Sequence, residues 1–186
     1  MGIELEHIVK AAGRQEMWAQ SLLYERFAPK MYAVCRRYTR SRDEANDLLQ
    51  EAFIKVFETI KQLQNVQVVE AWIRQIVVNC CINYVTRHRK LVYVDIKQFE
   101  LQHEELLIED FNDPFDTDDY DVEDVFVAVQ KLSPACRLVF NMHEVDEMPY
   151  AEIASLLGQY EASVRATLAR AKQALRQHLA ANAADE

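Results

Sequence analysis

The chain has 186 residues, of which 50% are hydrophobic, 27% charged and 10% aromatic, with three Gly, four Pro and a formal net charge of −9. These totals exclude a collagen-like, low-complexity or wholly unfolded chain, and the length allows one domain or two small ones rather than a large α/β enzyme. So little Gly and Pro disfavours an all-β chain, which needs a turn every few residues, and leaves no room for a Gly-rich phosphate loop, so an all-α fold is expected.

The first residues, Met1-Gly2-Ile3-Glu4-Leu5-Glu6, are acidic and lack the apolar stretch of a signal peptide. Nor does any apolar run approach the roughly 20 residues that span a bilayer, so no membrane association and a cytoplasmic location are expected. Residues 3–12 read as a short helix closed by Gly13. Met17, Leu23, Phe27, Met31, Cys35 and Tyr38 then follow helical periodicity, with an irregularity expected at Pro29. Ser41-Arg42-Asp43-Glu44 matches a capping box and opens the next helix. Its core stripe is Ala45, Leu48/Leu49, Ala52/Phe53, Val56 and Ile60, while Asp43, Asp47, Gln50, Glu51, Ile54 and Glu58 share the opposite face. One Ile on an acidic face fits either a docking surface or an ordinary exposed apolar residue.

After a polar stretch at 63–69, a helix is expected over about 70–88, with Ile73, Ile76/Val77, Cys80 and Tyr84 inward. Trp72, Gln75, Asn79, Asn83 and Arg87 stand at i, i+3, i+7, i+11 and i+15, which places an aromatic ring, three amides and a guanidinium in one line. Unpaired DNA is held by stacking, amide bonds to base edges and cations on phosphates. A Trp half in the core beside solvated amides accounts for the pattern equally well. Cys35, Cys80, Cys81 and Cys136 contain no C-x-x-C pair, so neither a disulfide framework nor a metal site is implied, and adjacent Cys80 and Cys81, in an apolar helical stretch, read as small buried hydrophobes.

From Asp95 to Asp124 there are 13 acidic residues against one basic, Lys97, so this stretch carries −12. Residues 1–94 hold 14 Lys/Arg and 10 Asp/Glu, and residues 125–186 hold 6 and 7. This segregation predicts two small helical domains, at 1–93 and 123–182, joined by an acidic linker at 94–122. Helical spacing resumes with Val122, Val125/Phe126, Val129 and Leu132, and Ser133-Pro134 sets an N-cap before a Pro at the first helical position, opening a helix to about Val145.

Beyond Pro149, a short helix (150–157) meets Gly158, and a second begins near Glu161 with Val164, Leu168, Ala171 and Leu175 inward. Ala154, Gly158 and Val164 supply the small crossing residue, the positive-φ turn residue and the β-branched wedge of a helix-turn-helix. The second helix is expected to expose Ser163, Arg165, Ala166 and Thr167 near its start, for base contacts, and Arg170, Lys172 and Arg176 further along, for phosphates.

The segment D-L-L-Q-E-A-F-I-K-V-F (47–57), followed by A-W-I-R-Q-I-V-V-N (71–79), resembles the second region of bacterial RNA polymerase sigma factors of the sigma-70 family. Y-A-E-I-A-S-L-L-G (150–158) with S-V-R-A-T-L-A-R-A-K-Q-A-L (163–175) is similar to their fourth region. Two such regions and a short linker are the layout of the extracytoplasmic-function (ECF) group, and the resemblance spans roughly 16–90 and 126–179. It implies a promoter-specificity subunit with core RNA polymerase, promoter DNA and an anti-sigma factor as partners, and with no cofactor and no catalytic chemistry of its own. Asp47, Gln50, Glu51 and Ile54 match the helix that docks on the polymerase clamp. Asn79 matches the amide that holds a flipped base of the −10 element, with the 63–69 loop forming its pocket, and the second helix of the C-terminal motif reads the −35 element. The chain departs from the family's usual G-T-V-K-S-R-L with Ala162-Ser-Val-Arg-Ala-Thr-Leu168, where Thr167 replaces a basic side chain. A helix-turn-helix regulator that binds DNA without polymerase is the alternative.

Overall fold

The computed structural model describes residues 4–87 and 121–184. Every regular element among them is helical, and the chain divides into two compact units, Met1–Tyr84 and Val85–Glu186. Apart from Asp121 and Val122, the acidic 94–122 segment lies outside the described residues, as do His88, Arg89 and Lys90.

The first unit contains α1 (Leu5–Gly13), α2 (Met17–Tyr38), α3 (Arg42–Thr59) and α4 (Val69–Arg87), with short 3-10 turns at Ile60–Gln62 and Val66–Val68 between the last two. Helix α1 buries Ile8, Val9, Ala11 and Ala12 and packs on α2. Two expectations fail at its end. Gly13 is still helical, and the left-handed residue that turns the chain is Gln15 (φ 65°). The Gln15 side chain donates to Phe57 O at 3.1 Å, a tertiary bond that holds the bend where glycine would have been the local choice. Met17, read as part of the α2 stripe, is 81% exposed, and Ala19 takes the buried position in that turn.

Helix α2 runs unbroken through Pro29 for 22 residues. Pro29 has no N–H to give the carbonyl four residues back, but Phe27, Ala28, Met31, Val34, Cys35 and Tyr38 are buried around it. Burial of Phe, Met or Val side chains contributes about 1.5–3 kcal/mol each, enough to offset one lost helical bond. The helix stops at Thr39, whose hydroxyl and backbone N–H both donate to Cys35 O.

In α3 the capping box forms with a shifted half. Ser41 Oγ accepts from Glu44 N at 3.1 Å, while the Glu44 carboxylate accepts from Arg40 N at 2.9 Å, one residue before the cap. The stripe Ala45, Leu48, Leu49, Ala52, Phe53, Val56 and Ile60 is buried as expected. Phe53 meets the edge of Tyr24 from α2 at 4.8 Å between ring centroids. Helix α4 lies antiparallel to α3: Lys55 Nζ donates to Cys80 Sγ at 3.4 Å, and nearer the other end Tyr84 feels Glu44 and Asp47. Burial pushes the Cys80 thiol up, opposed by the Lys55 ammonium. The buried arc of α4 is wider than its predicted stripe, because Val78, Cys81 and Ile82 are buried as well as Ile73, Val77 and Cys80.

The second unit contains α5 (Val122–Lys131), α6 (Pro134–Phe140), α7 (Tyr150–Leu157) and α8 (Glu161–Ala184). Ser133 Oγ accepts from Cys136 N at 3.4 Å and caps α6, which continues as a π-turn over Asn141–Val145. The long α8 is the spine on which α5, α6 and α7 pack; it buries Val164, Leu168, Ala171, Leu175 and Leu179, and Val129, Leu138 and Ile153 are buried on the three helices around it. Among the described residues no helix is long and apolar enough to cross a membrane, and no group of three or more His, Cys, Asp or Glu is placed to hold a metal ion.

Candidate nucleic-acid interface

Three surfaces carry the residues singled out in the sequence. On α3, Asp47, Gln50, Glu51 and Ile54 are all exposed on the side opposite the core stripe, with Ile54 at 59%. Glu51 is paired with Lys55 at 2.8 Å, and Asp47 and Glu58 are exposed on the same side of the helix as Ile54. The same pairing holds the Lys55 ammonium above its ordinary range.

On α4, Gln75, Asn79, Asn83 and Arg87 are exposed and Trp72 is half-buried. The five residues occupy one arc of the helix, as the spacing requires. Gln75 Nε2 approaches Asn79 Oδ1 at 3.5 Å, which orients the Asn79 NH2 as a donor. The preceding loop is ordered by its own side chain: Asn65 Oδ1 accepts from Gln67 N at 2.9 Å, and Val68 stands exposed beside the start of α4.

In the second unit α7 and α8 form the helix-turn-helix. Gly158 adopts φ 64°, ψ 40°, and Gln159 N donates to Ala154 O at 2.9 Å, closing α7 with a left-handed cap. Ala154 and Val164 are buried where the two helices cross. The outer face of α8 has a simple plan. Ala162, Ala166, Ala169 and Gln173, at i, i+4, i+7 and i+11, run down its middle, exposed or half-exposed. Arg165, Lys172 and Arg176 flank this row on one edge, and Ser163 and Arg170 on the other. Small side chains thus occupy the centre of this face, with basic residues set along its two edges.

One expected contact is overturned. Thr167 is only 1% exposed, and its hydroxyl donates to Ser163 O at 2.8 Å inside the helix, so it cannot reach DNA. Its position lies between Val164 and Leu168 on the packed side, a phase that one helical turn of four polar or small residues concealed. Arg170 folds back onto its own helix, with Nε on Ala166 O at 3.2 Å and Nη2 on Thr167 Oγ1 at 2.9 Å. Lys172 has a side chain only 13% exposed and pairs with Glu144 of the π-turn at 3.1 Å. Arg165 and Arg176 are exposed.

Sequence reasoning missed the support beneath Arg165. Its guanidinium carbon sits 4.1 Å from the centre of the Tyr150 ring, whose centre in turn lies 4.1 Å from that of His143 with the two planes tilted by 42°. His143 Nδ1 lies 3.0 Å from Met148 O and donates to it. Glu161 Oε2 is 3.6 Å from Arg165 Nη2. Burial and Glu144 keep the Tyr150 phenol above its ordinary range, with Arg165 opposing. Nothing in the spacing of residues 143, 150 and 165 announces this stack, because each belongs to a different element.

Each unit matches a known family region. Residues 23–91 match Sigma-70 region 2, and residues 123–175 match Sigma-70, region 4. The chain is 25% identical over 173 residues to the ECF RNA polymerase sigma-E factor of Escherichia coli K12, covering 90% of each protein. It is 26% identical over 164 residues to the ECF RNA polymerase sigma factor SigE of Mycolicibacterium smegmatis, covering 88% of this chain and 62% of that one. Among solved structures, the sigma factor RpoE of Bartonella quintana, in complex with the anti-sigma factor NepR, is similar at a TM-score of 0.49 and 18% identity over 86% of this chain and 95% of that chain. With both regions matched in order on two helical units, the chain belongs to the sigma-70 family as an ECF sigma factor, a promoter-specificity subunit of RNA polymerase.

Proposed function

We propose a division of labour among the three surfaces. The α3 face, with Asp47, Gln50, Glu51 and Ile54, docks on core polymerase. The α4 line holds the opened −10 strand, with Trp72 stacking, Asn79 and its neighbouring amides bonding base edges, and Arg87 meeting phosphate. Helix α8 enters the major groove of the −35 element, where Arg165 bonds a guanine and Arg176 anchors phosphate. Arg170 contributes positive charge from its folded-back position, and Lys172, already neutralised by Glu144, braces the π-turn. The protein supplies recognition rather than bond-making chemistry, and acts in the cytoplasm beside the polymerase. An anti-sigma factor that covers the α3 face or α8 would silence it.

The observation that carries this reading is the α4 arc, where a part-accessible Trp, three exposed amides and an exposed Arg share one side of a helix packed on the other. Such a set suits separated bases and has no use for duplex DNA. The test is run-off transcription by core polymerase with and without the chain, on linear and pre-melted promoter templates. Chain-dependent, site-specific transcripts are expected. A regulator acting without polymerase would bind duplex DNA, give no such transcripts and leave the enzyme behind in a pull-down.

A further inference from the structure

We infer that Tyr150 and His143 are positioning residues for base recognition: a pillar of two packed rings that restrains the Arg165 guanidinium at the mouth of the −35 interface. The inference rests on the reading of Arg165 as a base contact, and it names what sets the specificity of that contact.

A guanidinium has two chemically different surfaces. Its face is attracted to an aromatic ring, while its five N–H donors lie in its plane and point outward. In α8 the face is used by Tyr150, at 4.1 Å, and Glu161 engages one Nη2 loosely at 3.6 Å. A guanidinium held over a ring keeps its edge donors for other partners, and the ring narrows the orientations they sample. Reading a guanine through O6 and N7 requires two parallel N–H donors held coplanar with the base. A long, half-exposed side chain loses substantial rotamer freedom when it is so held, and a pre-formed stack removes part of that cost before DNA arrives.

The ring is held in turn. His143 packs against it, with ring centres 4.1 Å apart and planes tilted by 42°, and His143 is fixed by its Nδ1–H bond to Met148 O at 3.0 Å. Met148 is buried, and its N–H bonds Met142 O at 2.9 Å, so the base of the pillar is tied to the core of the unit. On the neighbouring π-turn residue, Glu144 grips Lys172 of α8 at 3.1 Å, which fixes the turn against the recognition helix itself. The π-turn and α7 thus act on recognition without touching DNA.

The test uses holoenzyme assembled from core polymerase and the full chain, selected on promoter DNA randomised across the −35 element and sequenced. Arg165→Ala is expected to flatten the preference at one G·C pair by roughly ten-fold. Tyr150→Phe, which keeps the ring, is expected to retain that preference. Tyr150→Leu is expected to lower it about two- to five-fold at that pair alone, in keeping with a partly exposed cation–π contact, and to add nothing when Arg165 is already Ala. Unchanged melting of the Tyr150→Leu protein excludes unfolding as the cause; should that variant fail to assemble, Tyr150→Gln replaces it with the same outcomes. A Tyr150→Leu profile identical to wild type, or one weakened equally at every position, overturns the pillar while leaving Arg165 as the reader. An Arg165→Ala profile with no selective loss overturns the base-contact reading itself, and the pillar with it.

Discussion

Asn79 sits on the exposed side of a helix whose other side is packed, so its side chain can be removed at little cost to the fold. An amide bonds a base edge fully only once that base has left the stack, at a cost of a few kcal/mol. Asn79→Ala should therefore leave melting of the protein unchanged, impair transcription from duplex promoters more than from pre-melted ones, and relax preference at one −10 position in run-off assays. The cysteines give a second test at this scale. Cys35, Cys80 and Cys81 are buried, burial pushes the Cys80 thiol up, and Cys136 is partly exposed. Since the thiolate is the reactive form, mass spectrometry of alkylation at neutral pH should show Cys136 modified first and the other three protected until the chain unfolds. Burial of the first three was readable from the apolar setting of their helices. The loss of Thr167 to the packed side was not, because Ser163, Ala166, Thr167 and Ala169 are small enough to suit either face, and only the phase set by Val164 and Leu168 decides.

Among the elements, the turn between α7 and α8 depends on Gly158 at φ 64°. No neighbouring atom lies within 4 Å of an added Cβ, so the cost of a side chain there is backbone strain alone. Gly158→Ala should destabilise the unit by about 1–2 kcal/mol and Gly158→Asn by less, checked by thermal unfolding. For α3, Asp47→Arg should leave the capped and packed helix intact while weakening holoenzyme assembly measured by calorimetry. Unchanged assembly would remove α3 as the docking surface. Helix spans, both Ser caps and the helix-turn-helix were legible because they are written in local spacing. The end of α1 was not, since Gln15 owes its left-handed backbone to a bond with Phe57, 42 residues away. Helix α2 crossing Pro29 is likewise a tertiary result, with burial on both sides of the proline outweighing the missing donor.

At the scale of the whole molecule, charge is segregated along the chain, with −12 between Asp95 and Asp124 against a total of −9. That net charge repels DNA over a screening length of about 8–10 Å at ordinary salt. Deleting residues 113–121, which removes five carboxylates, should raise the affinity of the isolated protein for random duplex DNA, most at low salt. Filter binding across a salt series checks this, and an unchanged affinity and slope would reduce the segment to a spacer. The two-part organisation was visible in this charge distribution and in the two motifs. The Tyr150 stack was not, because it joins three elements that only packing brings together.

The alanine row of α8 separates vocabulary from grammar. Ala162, Ala166 and Ala169 lie on the outer face, away from the buried Val164, Leu168 and Ala171 that hold the helix in place. If α8 reads the −35 element as proposed, new side chains written there would meet base edges without disturbing the packing that presents them. An ancestor of this chain could have changed its promoters one letter at a time, each revision near neutral for folding, and a designer can do the same.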